Sequence, residues 1–309
     1  MRQSPVRTVF LGSGVFAVPI LEAVLGLPEI ELVLVVTAPD RPAGRRGHRA
    51  TIPVAARAGE LGLRLHRPER VRAPESIALI RASGAELGVL ADYGQIIPPA
   101  LLDAMGHGIL NVHPSLLPRH RGASPVPATI LAGDRETGVT IIRMDAGLDT
   151  GPIVAVRRWP VLGTETTPEL EARAAGEGAA LLRDTIPAWL AGSATAVAQP
   201  DDGVTLTRPL RREDGRLEPG RDAVLLERQV RAFQPWPGSF FETPAGRLIV
   251  WRAAVVPSAP GDVPGVLAAA DGALWLATAG GRLLLLEVQP AGGRRMSVAE
   301  FLRGRPRLV

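Results

Sequence analysis

The sequence predicts an α/β protein in which a parallel sheet wrapped by helices is followed by a small antiparallel β-barrel or sandwich. Two patterns predict this. Short apolar runs rich in β-branched residues alternate with helical patterns in the first half, and apolar runs separated by turn signals dominate the last part. With 309 residues, 46% of them apolar and 21% charged, the chain is long enough to give each domain its own core.

The parallel sheet is predicted to contain strands at residues 6–11, 30–37, 63–66, 87–91 and 109–112. Helices are predicted between them at residues 17–25, 53–61 and 74–82. After the last of these strands the pattern becomes a hairpin-like pair at residues 138–144 and 153–159, separated by a turn-rich segment. This order is typical of open α/β sheets, which bind their ligands at the carboxyl ends of the strands.

A long helix follows. Thr166 or Thr167 is its predicted N-cap, with Pro168 in the first turn and Glu169 completing a capping box, and Gly192 lies just past its end.

Residues 194–206 are polar and aperiodic, which indicates a linker. Beyond it, strands are predicted at residues 247–256, 265–270, 274–278 and 282–288. We therefore expect a catalytic domain over residues 1–193, a linker over 194–206 and a β-domain over 207–309.

Two missing residue types exclude several chemistries. The chain has no cysteine, which excludes thiol nucleophiles, disulfides and thiolate metal sites, and all 35 basic residues are arginine, which excludes a Schiff-base lysine. His107, His113 and His120 lack the spacing of a metal site, so no metal is expected. No apolar run is long enough to span a membrane and no signal peptide is seen, so we expect a soluble, cytoplasmic protein.

A glycine-rich turn follows the opening strand. Gly12, Gly14 and Ala17 satisfy the dinucleotide-binding pattern G-x-G-x-x-A. The acidic residue expected at the end of the second strand is missing, since only Asp40 appears, later and in a loop. The turn is therefore better explained as an ordinary strand-to-helix connection, although a nicotinamide-dependent oxidoreductase stays an alternative.

The run NVHPSLLPRHRGASP begins with Asn111 at the carboxyl end of the predicted fifth strand. Asn111 and His113 are two residues apart, so both side chains project to the same face of an extended backbone. An amide donor beside an imidazole suits the oxyanion that develops at an acyl centre. Asp149, flanked by glycines in DAGLDTG, is a candidate to meet His113, although Asp145 and Asp149 also fit simple turn caps.

The loop PDRPAGRRGHR is locally basic, and its arginines are Arg41, Arg45, Arg46 and Arg49. It indicates either a phosphate-bearing partner or a solvated charge run. The β-domain also carries scattered arginines, but its aromatic residues Phe233, Trp236, Phe240 and Phe241 fit core packing better than base stacking. A non-catalytic RNA-binding module is a further alternative, which leaves the Asn111, His113 and Asp149 pattern unexplained.

These motifs, with LDTG and RAFQPWPG, resemble the methionyl-tRNA formyltransferases, a family of folate-dependent formyltransferases, over nearly the whole chain and in the same order. The resemblance implies a Rossmann-like formyltransferase domain and an OB-like β-barrel that binds tRNA. It implies a co-substrate, 10-formyltetrahydrofolate, and an acceptor, initiator methionyl-tRNA. We expect the protein to be a monomer.

On matching positions the resemblance implies that Asn111, His113 and Asp149 are catalytic. It further implies folate contacts at Ser115, Leu116, Leu117 and Pro118, and tRNA contacts at Arg41, Arg45, Arg46 and Arg49. One departure is Asp92, which replaces an apolar or small residue near the expected pterin pocket. Because the Asn/His/Asp set is shared with enzymes that formylate small amines, a nucleotide sugar or glycinamide ribonucleotide is the alternative acceptor.

Overall fold

The computed structural model describes the backbone of residues 4–43 and 48–303, and the side chains of residues 4–40 and 51–303. By packing, the chain divides into two compact units. The first comprises Met1–Pro125, Glu136–Trp159 and Glu171–Thr207, and the second comprises Val126–Arg135, Pro160–Leu170 and Arg208–Val309. No helix in the described part of the chain is long and apolar enough to cross a membrane.

The first unit contains the strands β1 Val6–Gly12, β2 Ile30–Val36, β3 Arg41–Ala43, β4 His48–Ala50, β5 Leu65–His66, β6 Leu87–Ala91, β7 Ile109–His113, β8 Arg121–Gly122, β9 Glu136–Arg143, β10 Ile153–Pro160 and β11 Leu206–Thr207. The helices up to residue 190 are α1 Ala17–Leu25, α2 Pro53–Glu60, α3 Pro74–Ala82, α4 Pro99–Leu102, α5 Pro125–Ala132 and α6 Thr167–Leu190. These bounds confirm the predicted α/β pattern.

The main sheet has the strand order β10-β9-β7-β6-β1-β2-β5. Strands β7, β6, β1, β2 and β5 are parallel, whereas β9 runs antiparallel to β7. The chain moves outward from β1 to β2 and β5, and then returns to the other side of β1 to add β6 and β7. This places the topological switch point between β1 and β6, where open α/β sheets form a ligand crevice.

The strands are continuous apolar runs because both faces of the sheet are covered. One face packs Phe10, Val112 and Ile141 against helix residues that include Ile20 and Leu182. The other face buries Val9, Leu11 and Ile109 with Ile80 and Leu101. These two cores fix β7 rigidly, so side chains at its carboxyl end are held by a stiff support.

Helix α6 begins where its capping pattern predicts. Thr166 is bonded through both its backbone amide and its hydroxyl to the Glu169 carboxylate, with each distance 2.8 Å. The carboxylate thereby satisfies an amide that a helix start would leave free.

The second unit contains the predicted antiparallel sheet. It contains a 3-10 turn Arg212–Gly215, helices α7 Ala223–Ala232 and α8 Val298–Arg303, and strands β12 Ser239–Thr243, β13 Gly246–Val256, β14 Leu267–Ala270, β15 Ala273–Ala277, β16 Arg282–Pro290 and β17 Met296–Ser297. The strand order is β12-β13-β16-β15-β14, and β17 pairs with β16.

The aromatic cluster of this unit divides into buried and exposed members. Phe233, Phe240 and Phe241 are buried, as core packing requires. The core interpretation is wrong for Trp236, which is 53% exposed and lies between two prolines in the connection from α7 to β12.

Candidate active site

The candidate site lies at the carboxyl end of β7. Asn111 and His113 are both on this strand and both buried, with 5% and 4% of their surface exposed. Burial of two polar side chains at a strand end requires partners for them, and these partners define the site.

Asp149 lies beside both residues and is hydrogen-bonded to Asn111. Asn111 Nδ2 donates to Asp149 Oδ1 over 3.1 Å, and Asp149 Oδ2 lies 3.7 Å from His113 Nδ1. The backbone amide of Gly122 donates to the same Oδ2 over 2.8 Å. The structure therefore brings together the three side chains that the sequence pattern selected, although Asn111 and Asp149 are 38 residues apart along the chain.

The loop between β9 and β10 positions Asp149 next to Asn111 and His113. Asp145 Oδ1 accepts hydrogen bonds from the Gly147 amide and from the Thr150 hydroxyl, at 3.0 and 2.7 Å. Gly151 lies against the backbone of Arg143, where an added Cβ would come within 1.9 Å of the carbonyl oxygen. The two aspartates thus have different tasks: Asp145 caps the turn, and Asp149, at a left-handed φ of 52°, reaches the histidine.

The hydrogen bonds of His113 define which ring nitrogen is free for chemistry. Nε2 lies 3.0 Å from the backbone carbonyl of His120, and because a carbonyl only accepts, Nε2 carries a proton. Nδ1 faces Asp149 at a distance too long for a hydrogen bond. In the neutral ring, Nδ1 therefore has a free lone pair.

The surroundings of His113 favour that neutral ring. Burial lowers the pKa of His113 below its ordinary value, and the Asp149 carboxylate opposes this because it stabilises the imidazolium. The ring is thus uncharged near neutral pH, yet it has a counter-charge close by when it gains a proton. These are the properties of a general base.

The residues expected to contact folate differ in accessibility. Ser115 is fully buried and its hydroxyl donates to the Arg119 carbonyl over 2.7 Å, while Leu117 and Pro118 are also buried. Leu116 is half-buried beside Gly138. Thr140 of β9 joins this segment to the sheet, since its hydroxyl donates to the Ser115 carbonyl and accepts from the Leu117 amide. The folate contacts of these residues stay a prediction.

Only part of the basic loop lies within the described residues. Arg45 and Arg46 lie outside the described residues, and for Arg41 and Arg49 only the backbone is described, in the short antiparallel pair β3 and β4. Their contacts with tRNA stay a prediction.

The glycine-rich turn after β1 is closed by a carboxylate of the chain itself. Asp92, at a left-handed φ of 44° after β6, accepts a hydrogen bond from the Gly14 amide, and an added Cβ on Gly14 would meet its Oδ2 at 1.7 Å. Burial of the carboxyl and the nearby Glu171 raise the pKa of Asp92 to about 6. A negative group at this amide occupies the position where a dinucleotide would place its pyrophosphate, which disfavours the oxidoreductase alternative.

Two backbone groups of the site were missed by the sequence analysis. The His120 carbonyl and the Gly122 amide bond the histidine and the aspartate, but a backbone contact leaves no signature in side-chain type. The one available signal is Gly122 itself, which has a φ of 107° and lies so close to the Thr207 backbone that a Cβ would be 2.3 Å from its carbonyl oxygen.

Comparison with known proteins defines the class. Residues 6–186 match the model of the family described as formyl transferase, and residues 209–306 match that of the formyl transferase C-terminal domain. The chain therefore belongs to the formyl transferase family.

Within this family, the chain is similar over nearly its full length to proteins named methionyl-tRNA formyltransferase. The chain is 45% identical to the methionyl-tRNA formyltransferase of Halorhodospira halophila, over 98% of this chain and 97% of that protein. It is 43% identical to the methionyl-tRNA formyltransferase of Thermus thermophilus, over 96% of each chain.

Solved structures share the fold at low identity. An N-formyltransferase from Helicobacter canadensis, in complex with folinic acid and dTDP-3-aminofucose, has a TM-score of 0.65 and 14% identity over 91% of this chain and 98% of that one. HypX from Aquifex aeolicus in complex with tetrahydrofolic acid has a TM-score of 0.61 and 15% identity over 97% of this chain. This chain spans 47% of the length of that HypX chain.

Proposed function

We propose that this protein transfers a formyl group from 10-formyltetrahydrofolate to the α-amino group of initiator methionyl-tRNA. The convergence of Asn111, His113 and Asp149 carries the proposal, because it provides an acyl-transfer site in a chain that is similar, nearly end to end, to proteins named for this reaction. The products are N-formylmethionyl-tRNA, used to start translation, and tetrahydrofolate.

The chemistry follows from the free atoms of the three side chains. As the amine adds to the formyl carbon, negative charge develops on the formyl oxygen, and the second amide hydrogen of Asn111 can donate to it while the first is held by Asp149. The neutral Nδ1 of His113 takes the proton that the attacking amine must lose. Asp149 stabilises the resulting imidazolium across 3.7 Å. As the oxyanion re-forms the carbonyl, the bond between the formyl carbon and the folate nitrogen breaks, and that nitrogen receives this proton from Nδ1, so the ring returns to its starting state.

The co-substrate is expected along the segment Ser115, Leu116, Leu117 and Pro118. Since Ser115, Leu117 and Pro118 are buried and Thr140 joins the segment to β9, its backbone is a fixed surface, and Leu116 is the partly accessible apolar side chain. A preorganised segment of this kind suits a flat ring system next to the reacting atoms.

The acceptor is proposed to be tRNA and not a small amine. Arg41, Arg45, Arg46 and Arg49 supply positive charge for phosphates, and the separate β-domain is an addition that a small acceptor does not need. We further propose a catalytic domain over residues 1–193 and a β-domain over residues 207–309, joined by a connecting segment over 194–206. A cytoplasmic location and a monomeric state complete the proposal.

A direct competition between acceptors tests this function. The purified protein is supplied with 10-formyltetrahydrofolate carrying a radiolabelled formyl group, and with charged initiator methionyl-tRNA, glycinamide ribonucleotide or a dTDP-amino sugar. We expect label only in the tRNA. Label in a small amine would replace the proposed acceptor, and label in none of them would reject formyl transfer.

A further inference from the structure

The segment from Val197 to Thr207, here named the strap, directly precedes the last stretch of the second unit, which begins at Arg208. Its hydrogen bonds nevertheless go to residues of the candidate site. Val197 pairs with Ile153 at the start of β10, and β11 pairs in parallel with β8. The strap is therefore an ordered part of the first unit.

Burial along the strap is the reverse of that in an ordinary surface strand. Its apolar side chains face solvent, with Val197 63% and Leu206 72% exposed, whereas the polar side chains of Gln199, Thr205 and Thr207 are partly buried. Hydrophobic burial therefore does not explain why the strap is ordered. Its polar contacts must explain it.

Gln199 makes the most concentrated set of these contacts. Its Nε2 donates to the backbone carbonyls of Asp149 and Gly151, each over 2.8 Å. Its Oε1 accepts from Arg121 Nε and Nη2, at 3.1 and 2.7 Å. One amide therefore joins the loop that carries Asp149 to the strand β8, whose Gly122 amide bonds the Asp149 carboxylate.

Thr205 connects the strap to His113 through the backbone of His120. Its hydroxyl oxygen accepts from the His120 amide over 2.7 Å, and the His120 carbonyl in turn accepts from His113 Nε2 over 3.0 Å. The His120 carbonyl keeps the ring proton on Nε2 and so leaves Nδ1 without one. The strap holds the backbone of His120 in place through Thr205.

We propose that Gln199 is a positioning residue, supported by Thr205, which fixes the separation and orientation of Asp149 and His113. This inference rests on the proposed formyl transfer for its kinetic consequences, but the geometry of the His113 and Asp149 pair is measurable without turnover. Gln199 contacts the backbone carbonyls of Asp149 and Gly151 and not the Asp149 carboxylate. It therefore affects the alignment of Asp149 with His113.

Two replacements separate the donor and the acceptor sides of Gln199. Gln199→Glu keeps an acceptor for Arg121 but loses both donors to the loop, and Gln199→Ala loses all contacts. We expect kcat to fall about 10- to 100-fold in both, because a displacement of about 1 Å in a reacting group has that effect. KM should change little, since Gln199 is not proposed to touch substrate.

Gln229 provides a matched control in the second unit. Its Nε2 donates to the carbonyls of Asp214 and Arg216, and its Oε1 accepts from Arg221, so the same amide chemistry occurs away from the Asp149 loop. Because Gln229 is buried and Gln199 only half-buried, Gln229→Ala should lower Tm at least as much as Gln199→Ala but leave kcat unchanged.

The second readout is the pKa of His113, followed by NMR of the ring carbons in the full chain. Release of Asp149 removes the charge that opposes burial, so the pKa of His113 should fall further in Gln199→Ala and stay unchanged in Gln229→Ala. Thr205→Val, which keeps the side-chain shape and removes the acceptor for His120, tests the same idea if a Gln199 variant does not fold.

The outcomes distinguish this inference from the proposed function. Wild-type kcat and an unshifted His113 pKa in folded Gln199 variants would overturn the positioning role, as would a loss of Tm alone. If the wild-type protein shows no formyl transfer but the His113 pKa shifts as expected, the proposed function fails and the positioning role holds.

Discussion

Replacement of Asp149 by asparagine removes the charge beside His113 while nearly preserving the side-chain shape. The amide oxygen can still accept one of the two hydrogen bonds that Asn111 and Gly122 donate, but the new NH2 group faces the other donor. With unit charges 3.7 Å apart and an effective dielectric constant of about 20, the carboxylate stabilises the imidazolium by about 4.5 kcal/mol. Since about 1.4 kcal/mol is a factor of ten, kcat should fall by about 10³-fold.

The same replacement changes the pH profile in a defined direction. The Asp149 charge raises the pKa of His113 against the effect of burial, so its loss lowers that pKa and moves the acid limb of the rate profile to lower pH. Radiolabelled formyl transfer to methionyl-tRNA, measured across pH, gives both quantities, and urea unfolding serves as the folding control. A folded variant with less than about a fivefold loss of kcat and an unmoved acid limb would refute the role of Asp149.

Three further predictions concern the base, the basic loop and the turn after β1. His113→Ala should reduce kcat at least about 100-fold in the formylation assay, because the proton acceptor is removed. Arg45→Ala should weaken use of tRNA and reduce its dependence on salt, measured as kcat/KM over a salt series, with Arg45→Lys as the control that keeps the charge. Asp92→Asn should raise Tm above pH 6: a carboxyl with a raised pKa loses its stabilising contribution as pH rises through about 6, and asparagine does not.

Each of these predictions has a result that contradicts it. Full activity of His113→Ala would assign proton transfer to another group, such as water. An unchanged salt dependence in Arg45→Ala would remove that arginine from the tRNA contacts. For Asp92→Asn, a Tm difference from the wild type that stays constant between pH 4 and 8 would show that the carboxyl does not titrate in the way its surroundings indicate.

Local sequence patterns were enough for most of the fold. The strand ending at His113 and the helix starting at Thr167 were predicted within about a residue, because apolar periodicity and capping chemistry act over a few positions. Helix α7 and strand β12 were not predicted, although the buried residues Ala223, Leu226 and Val230 of α7 have helical spacing. The exposure of Trp236 was also missed, because residue type alone does not define which side of a turn a ring occupies.

The sequence by itself determined the residue types of the site. Asn111 and His113 share a face because they are two apart on a strand, and the glycines around Asp149 permit its tight loop. The tertiary structure alone decided that Asp145 caps the turn while Asp149 reaches the histidine, and that Nε2 is held by the His120 carbonyl so that Nδ1 is free. It also showed that the polar stretch predicted to be a linker includes the strap, whose side chains contact the Asp149 loop and the backbone of His120. The contacts of Asp149 with Asn111, of Gln199 with the Asp149 loop and of Thr205 with His120 join residues distant along the chain. Such contacts depend on how the elements pack, which no local pattern records.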